Sequence, residues 1–351
     1  MDKTAQTRHA LLQHCKAYPL LQVQDVLKFL FQSSFGCEHL LTDSSATTEY
    51  IRREAACCRP HKGQPVEPLD GSYCRVHLDV LRGSLHPETL GKLFFLSAQP
   101  EENSSALLEE KLAVMLTMTK EGVFPFTEQD AIQATASWRA AGFPACHHSE
   151  EFRKAYLPAY RVLRKEYAMF LPLFSQIDRM LQMGRVNLAI EGGSASGKTT
   201  LSQLLHEIYD CTVFHMDDFF LRPYQRTAER LAQPGGNVDR ERFLQEVLLP
   251  LHQKQEVTYH PYDCHTRSLL SPITVMPTEL TVIEGAYSMH PDLANYYNLS
   301  VFLDISPQLQ EQRIQKRNSP EMAKRFLEEW IPLEQQYFRA MQIKNCCDLI
   351  F

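Results

Sequence analysis

Residues Gly192 to Thr199 read Gly-Gly-Ser-Ala-Ser-Gly-Lys-Thr. The pattern G-x-x-x-x-G-K-[ST] is met without a gap, and it constrains the fold more than any other stretch of the chain. Gly192 and Gly197 allow backbone conformations in which several N–H groups point at one anion. Gly193, Ser194, Ala195 and Ser196 form the loop between them, and Thr200 follows it. Lys198 supplies a point charge for β- and γ-phosphates, and the Thr199 hydroxyl can hold Mg²⁺. The flanks agree. Val186-Asn187-Leu188-Ala189-Ile190 reads as a buried strand, and Thr199 to His206 reads as a helix whose N-terminus faces the phosphates. A strand, an anion-cradling loop and a helix in that order call for an α/β domain.

The strand of such a loop normally opens its domain, yet here it begins near Val186. The 351 residues leave room for another domain upstream. The expected division is 1–182, a mainly helical domain of unassigned role, and 183–351, the phosphate-binding domain. Helical spacing marks Val23 to Leu30 and Ser105 to Met118. Thr127-Glu128-Gln129-Asp130 resembles a capping box, Ser149-Glu150-Glu151 starts a further helix, and another ends over Gln176 to Met183. Tyr73 to Leu78 is a weak strand signal, and 60–68 reads as a proline-containing loop. The second half alternates. Thr212 to His215, Leu280 to Ile283, Leu299 to Leu303 and Leu349 to Phe351 read as strands. Helices fall over Gln308 to Arg317 and Pro320 to Met341, the latter bent at Pro332. This alternation predicts a parallel sheet flanked by helices, with ligands at the carboxyl ends of its strands.

Two of those ends carry acids. Thr212 to Met216 runs into Asp217-Asp218, and Leu280 to Ile283 runs into Glu284-Gly285. If both strands flank the phosphate-loop strand, the acids converge near the γ-phosphate. There a carboxylate can accept a hydroxyl proton or orient Mg²⁺.

Bulk composition sets limits. A hydrophobic content of 44%, a charged content of 22% and a net charge of −6 describe a soluble globular chain. They disfavour nucleic acid or an anionic membrane as the main partner. The N-terminal residues lack a signal-like apolar core, and no apolar run reaches bilayer length. Ten scattered cysteines without a C-x-x-C suit free thiols in a reducing, cytoplasmic setting. In the first half, Phe35-Gly36-Cys37-Glu38-His39, Cys74-Arg75-Val76-His77 and Cys146-His147-His148 could compose a zinc site. None has finger spacing, and ordinary packing explains them more cheaply.

The ordered motifs of the second half resemble the uridine kinase/phosphoribulokinase family. They are the phosphate loop, Met216-Asp217-Asp218-Phe219-Phe220, Asn237-Val238-Asp239 with Phe243, Tyr262-Asp263 and Glu284-Gly285. The resemblance covers about residues 186 to 351. It implies an ATP- and Mg²⁺-dependent kinase that phosphorylates a hydroxyl of a small metabolite. It implies Asp217 as general base beside Lys198 and Glu284, and metal contacts from Thr199, Asp217 and Glu284. Arg313 and Arg317 resemble lid arginines that clamp phosphates. The acceptor side would draw on Asp218, Asp239, Tyr262, His265, Arg267 and Tyr287. Uridine kinases carry a histidine five positions after the tyrosine of their Tyr-Asp motif. Without a gap that position is Arg267; with a shortened loop it is His265. In both registers Cys264 replaces an aromatic residue, which puts uridine in doubt. The extension resembles that of some bacterial uridine kinase-like proteins, which supplies no activity for it. Substrate binding, homo-oligomerisation and regulation stay open for it. The rival to a kinase is a regulatory nucleotide-binding ATPase or switch with the first half as effector module.

Overall fold

The computed structural model describes residues 2–37, 44–61, 63–98 and 104–351. Glu38 and His39 of the first cysteine–histidine segment lie outside them. The chain divides into two compact units, Met1–Asp178 and Arg179–Phe351.

The first unit is mainly helical: α1 (Lys3–Ala17), α2 (Val23–Phe35), α3 (Ser44–Cys57), α4 (Pro87–Ser97), α5 (Ser104–Lys120), α6 (Glu128–Ala140), α7 (Glu150–Tyr156) and α8 (Lys165–Ala168), with α9 (Leu171–Leu181) running into the next unit. The helix starts read from local chemistry are present. The Thr127 hydroxyl accepts from Asp130 N at 3.1 Å, and Ser149 Oγ accepts from Phe152 N at 3.1 Å. The sequence reading lacked α1, α3 and α4. It also lacked most of an antiparallel sheet formed by β1 (Val66–Pro68), β2 (Tyr73–His77) and β3 (Tyr160–Arg164), in the order β1-β2-β3. The weak strand at Tyr73 is real because it is the central strand of this sheet, held on both edges.

The second unit is a five-stranded parallel sheet in the order β12-β11-β4-β10-β5. Its strands are β4 (Val186–Gly192), β5 (Thr212–His215), β10 (Leu280–Glu284), β11 (Leu299–Leu303) and β12 (Leu349–Ile350). Two small antiparallel pairs lie between β5 and β10: β6 (Val257–Tyr259) with β9 (Ile273–Val275), and β7 (Tyr262–Asp263) with β8 (Ser268–Leu269). β10 and β11 are buried throughout, as strands covered on both faces must be. The helices are α10 (Lys198–Tyr209), α11 (Ala228–Ala232), α12 (Arg240–Phe243), α13 (Leu249–His252), α14 (Pro291–Ala294), α15 (Pro307–Arg317), α16 (Pro320–Arg325), α17 (Ile331–Ala340) and α18 (Ile343–Cys346). The expected bend at Pro332 takes a specific form. Residues Phe326–Trp330 widen into a π turn, with Ile331 N–H bonded to Phe326 O, and Pro332 sits in the first turn of α17. Proline has no N–H to continue the ladder, so the break falls there. No described helix is long and apolar enough to cross a membrane.

Candidate functional site

β4 is the middle strand of the large sheet, so the loop that follows it opens at the centre of the carboxyl edge. Gly192 is required by space as well as by its φ of 146°. A Cβ there would lie 2.6 Å from Leu303 O on the adjacent strand. The loop then delivers Lys198 and Thr199 to the first turn of α10. Lys198 Nζ donates to the carbonyls of Gly192 and Gly193, both at 3.0 Å. Thr199 and Thr200 are exposed at the start of that helix.

The sheet register brings the acids together. β10 pairs with β4 on one side and β5 on the other, placing Glu284 opposite His215. Glu284 Oε1 accepts from Thr199 Oγ1 at 3.2 Å and lies 2.7 Å from His215 Nδ1. That contact with Glu284 raises the His215 pKa. Gly285 follows because a Cβ would meet Met216 Cβ at 2.5 Å. Asp217 and Asp218 occupy the 3₁₀ turn Met216–Phe219 at the end of β5. Asp217 keeps solvent access, yet the crowding of the cleft raises its pKa; Lys198 pulls the other way and Glu284 adds to the rise. Lys198, Thr199, Asp217 and Glu284 thus share one cleft. Burial also raises the pKa of Asp218. Its carbonyl accepts from Arg242 Nη2 at 2.8 Å, which anchors the turn.

The residues read as acceptor contacts are distributed differently. Asp239 lies against the turn, since its N–H donates to Phe219 O at 2.7 Å. It is buried and caps α12, with Oδ1 on Arg242 N at 3.2 Å and Oδ2 on Gln225 Nε2 at 2.8 Å. Tyr262 begins a hairpin that packs against the Asp217 turn. Asp263 closes its tip by accepting from His265 N at 2.8 Å and Thr266 Oγ1 at 2.8 Å. His265 and Arg267 are both exposed there, Arg267 with a left-handed φ of 55°. Tyr287 is a core residue, buried against Tyr337 at a ring separation of 4.9 Å and with a φ of 76°. Of the two lid candidates, Arg313 donates to Ala195 O at 2.9 Å, whereas Arg317 stacks 5.2 Å from the Phe326 ring.

Four features were not read from the sequence. His215 is one. The second is Glu334 on α17, which accepts from Ser194 N at 2.8 Å and from Ser194 Oγ at 2.6 Å, while Gln310 Nε2 donates to Ser194 O at 2.8 Å. Two helices distant in sequence therefore hold one loop residue. The third is Glu191, the residue before the loop. It is fully buried and accepts from Gly192 N, Tyr287 N, Met289 N and Tyr337 Oη at 2.9 to 3.2 Å. Burial pushes its pKa up to about 7 against those donors. The fourth is a cavity of about 300 Å³ beside Gly193, between the end of β11 at Asp304 and Ile305 and the α17 side chains Phe338 and Arg339. For Glu191 an acid abutting the glycine was the visible signal; for the others only non-local pairing reveals them. In the first unit, no group of three or more histidines, cysteines or acids among the described residues could hold a metal. Cys37 Sγ meets Phe94 O, Cys74 Sγ meets Leu163 O, and His148 is engaged by Asp25 and Tyr160.

The comparisons concern the second unit. The family model described as "Phosphoribulokinase / Uridine kinase family" matches residues 188–325. No curated protein matches the chain. Among solved structures, a possible uridine kinase from Bacillus stearothermophilus is similar at 24% identity and a TM-score of 0.38, over 51% of this chain and 99% of that one. A proposed fructose transport system kinase from Silicibacter sp. TM1040 is similar at 22% identity and a TM-score of 0.34, over 48% and 90%. A shikimate kinase from Bacteroides thetaiotaomicron follows at 16% identity and a TM-score of 0.26, over 47% and 85%. Residues 188–325 belong to the phosphoribulokinase/uridine kinase family, and the unit that holds them is a P-loop kinase.

Proposed function

We propose that this kinase transfers the γ-phosphate of ATP to a hydroxyl of a small metabolite, with Mg²⁺ and with Asp217 as general base. The observation that carries the reading is the meeting of Lys198, Thr199, Asp217 and Glu284 at the ends of three adjacent strands and the start of α10. Asp217 takes the proton of the acceptor hydroxyl as its oxygen attacks the γ-phosphorus and ADP leaves. Lys198 neutralises charge on the β- and γ-phosphates, and Arg313 sits on the loop where a lid arginine would act. Thr199 and Glu284, with Asp217 beside them, are hard oxygen donors of the kind Mg²⁺ takes when phosphates supply further ligands. Burial raises the Asp217 pKa and the charge of Glu284 adds to the rise, a setting that a bound cation would relieve. When bound, Mg²⁺ neutralises the developing phosphate charge.

The exposed hairpin tip that packs against the Asp217 turn is the candidate reader of the acceptor. Cys264 there offers no aromatic platform. Arg267, if it turns inward, favours an acceptor with a carboxylate or phosphate over a neutral base edge.

The test is ATP consumption across nucleosides, sugars, pantothenate-like acids and glycerate-like acids, with Lys198→Ala as control. Acceptor-dependent ADP formation, lost in folded Lys198→Ala, is expected. ADP formation that no acceptor stimulates would instead favour the ATPase or switch reading. Unchanged turnover in Lys198→Ala would remove the P-loop from the mechanism.

A further inference from the structure

A sheet face covered by helices is ordinarily apolar. In the first unit one face is not. Glu67 stands opposite Arg75 in the β1–β2 register, and His77 stands opposite Tyr160 in the β2–β3 register. Arg75 and His77 are two residues apart, so all four side chains share one face. α2 brings Asp25, Lys28 and Gln32 to it at spacings of three and four, which is one stripe of a largely buried helix.

These groups form a chain. Arg75 is fully buried; its Nε and Nη2 donate to Gln32 Oε1 at 3.0 and 2.9 Å, and Nη1 lies 3.3 Å from Glu67 Oε1. Gln32 Nε2 donates to Tyr160 Oη at 3.3 Å. Tyr160 Oη lies 2.6 Å from His148 Nε2, and His148 Nδ1 lies 2.9 Å from Asp25 Oδ1. A carboxylate only accepts, so His148 donates from Nδ1 and receives the Tyr160 hydrogen at Nε2.

The network is incomplete. Among the described residues, His77 Nε2, buried and 3.6 Å from Glu67 Oε2, has no hydrogen-bond partner, and His14 Nε2, also buried here, has none. Lys28 Nζ donates to Cys146 O at 2.9 Å, which uses one of its three hydrogens. Its acidic neighbour Asp25 is spent on His148, Ser149 and Gln22. Burial, then the charge of Arg75, brings the Lys28 pKa down to about 8, with Arg153 acting in the same direction. Asp25 and Cys146 act the other way without offsetting the burial and the neighbouring cations, so an incoming anion beside Lys28 is favoured. Lys28, Glu67 and Tyr160 keep partial solvent access, while Arg75, His77 and His148 are buried. Apolar residues would fill a merely structural face at least as well.

We propose that this polar face is a second ligand site, separate from the P-loop, which takes a small metabolite by a compact oxyanion, carboxylate or phosphate, bound at Lys28 and favoured by the charge of Arg75.

The test uses the full chain carrying Lys198→Ala, so that the P-loop does not report. Orthophosphate and malonate are titrated separately, and the ring NMR signals of His148 and His77 are followed. A saturable shift with at least one anion is expected. Lys28→Met should weaken it about tenfold or more, the loss of one charge-assisted contact. Its unfolding midpoint should stay at or above the parent's. Response to phosphate alone or to malonate alone supports the site and names the oxyanion. Lys28→Gln, which keeps a donor for the Cys146 carbonyl, replaces Lys28→Met if the latter does not fold. No saturable shift with either anion, or equal binding without the lysine charge, overturns the proposal.

Discussion

Replacing Glu191 with glutamine should change how stability depends on pH. Glu191 is fully buried, and burial lifts its pKa from an ordinary 4.5 to about 7. The folded chain therefore holds this proton more tightly than the unfolded chain does. Below 4.5 the group is neutral in both states, and its contribution to stability is fully present. As pH rises through the window to about 7, the unfolded carboxyl ionises while the folded one resists, so stability falls. A pKa raised from 4.5 to about 7 corresponds to roughly 3 kcal/mol lost across that window. Buried His290, with a pKa lowered to about 4, works in the opposite sense, adding stability as pH rises. The raw profile mixes these with other shifted groups of the unit, such as His215, Asp217 and Glu334, so the difference between parent and Glu191→Gln is the diagnostic quantity. The amide presents N–H groups to an environment of four donors, which costs about 1–3 kcal/mol whatever the pH. Urea unfolding of the second unit, measured from pH 4 to 8, should show curves that converge as pH rises because only the parent carries the falling Glu191 contribution. Parallel curves would refute the reasoning: Glu191 would then keep the same charge in both states.

Asp217→Asn should lower the rate of acceptor phosphorylation about 10²- to 10⁴-fold with little change in nucleotide affinity. Parent turnover should fall as pH drops through the raised Asp217 pKa, a dependence a rate–pH profile checks. If Asp218→Asn is the crippling change and Asp217→Asn is benign, the roles of the pair are reversed. Arg267→Ala should raise the Michaelis constant for an anionic acceptor and leave that for ATP nearly unchanged. If uridine or cytidine proves the best acceptor and this variant is silent, His265 becomes the residue to examine. A fragment starting near Gln182 should retain ATP binding by calorimetry, because β4, β10 and β5 with their helices lie within the second unit.

What the sequence determined by itself is what short-range chemistry encodes. The P-loop is contiguous, so its glycines, lysine and threonine announce the strand, the turn and the helix together. Helix caps such as Thr127 and Ser149 are equally local. Strands alternating with helices implied a parallel sheet, and acids at two strand ends implied a shared cleft. Tertiary structure alone decided which strands are neighbours. That order makes Glu284 the partner of both Thr199 and His215. It also turned Asp239 into a helix cap and Tyr287 into a core residue. The hold of Glu334 on Ser194 spans 140 positions, and that of His148 on Asp25 spans 123. No window of sequence contains such a pair. A lone glutamate on an amphipathic helix, or a lone histidine in a loop, reads as surface until the chain closes and takes away its water. The polar face of the N-terminal sheet is the clearest case. Glu67, Arg75 and Tyr160 lie on three strands that become neighbours only when a loop and several helices bring them together. Only then does the burial of their charges set their chemistry.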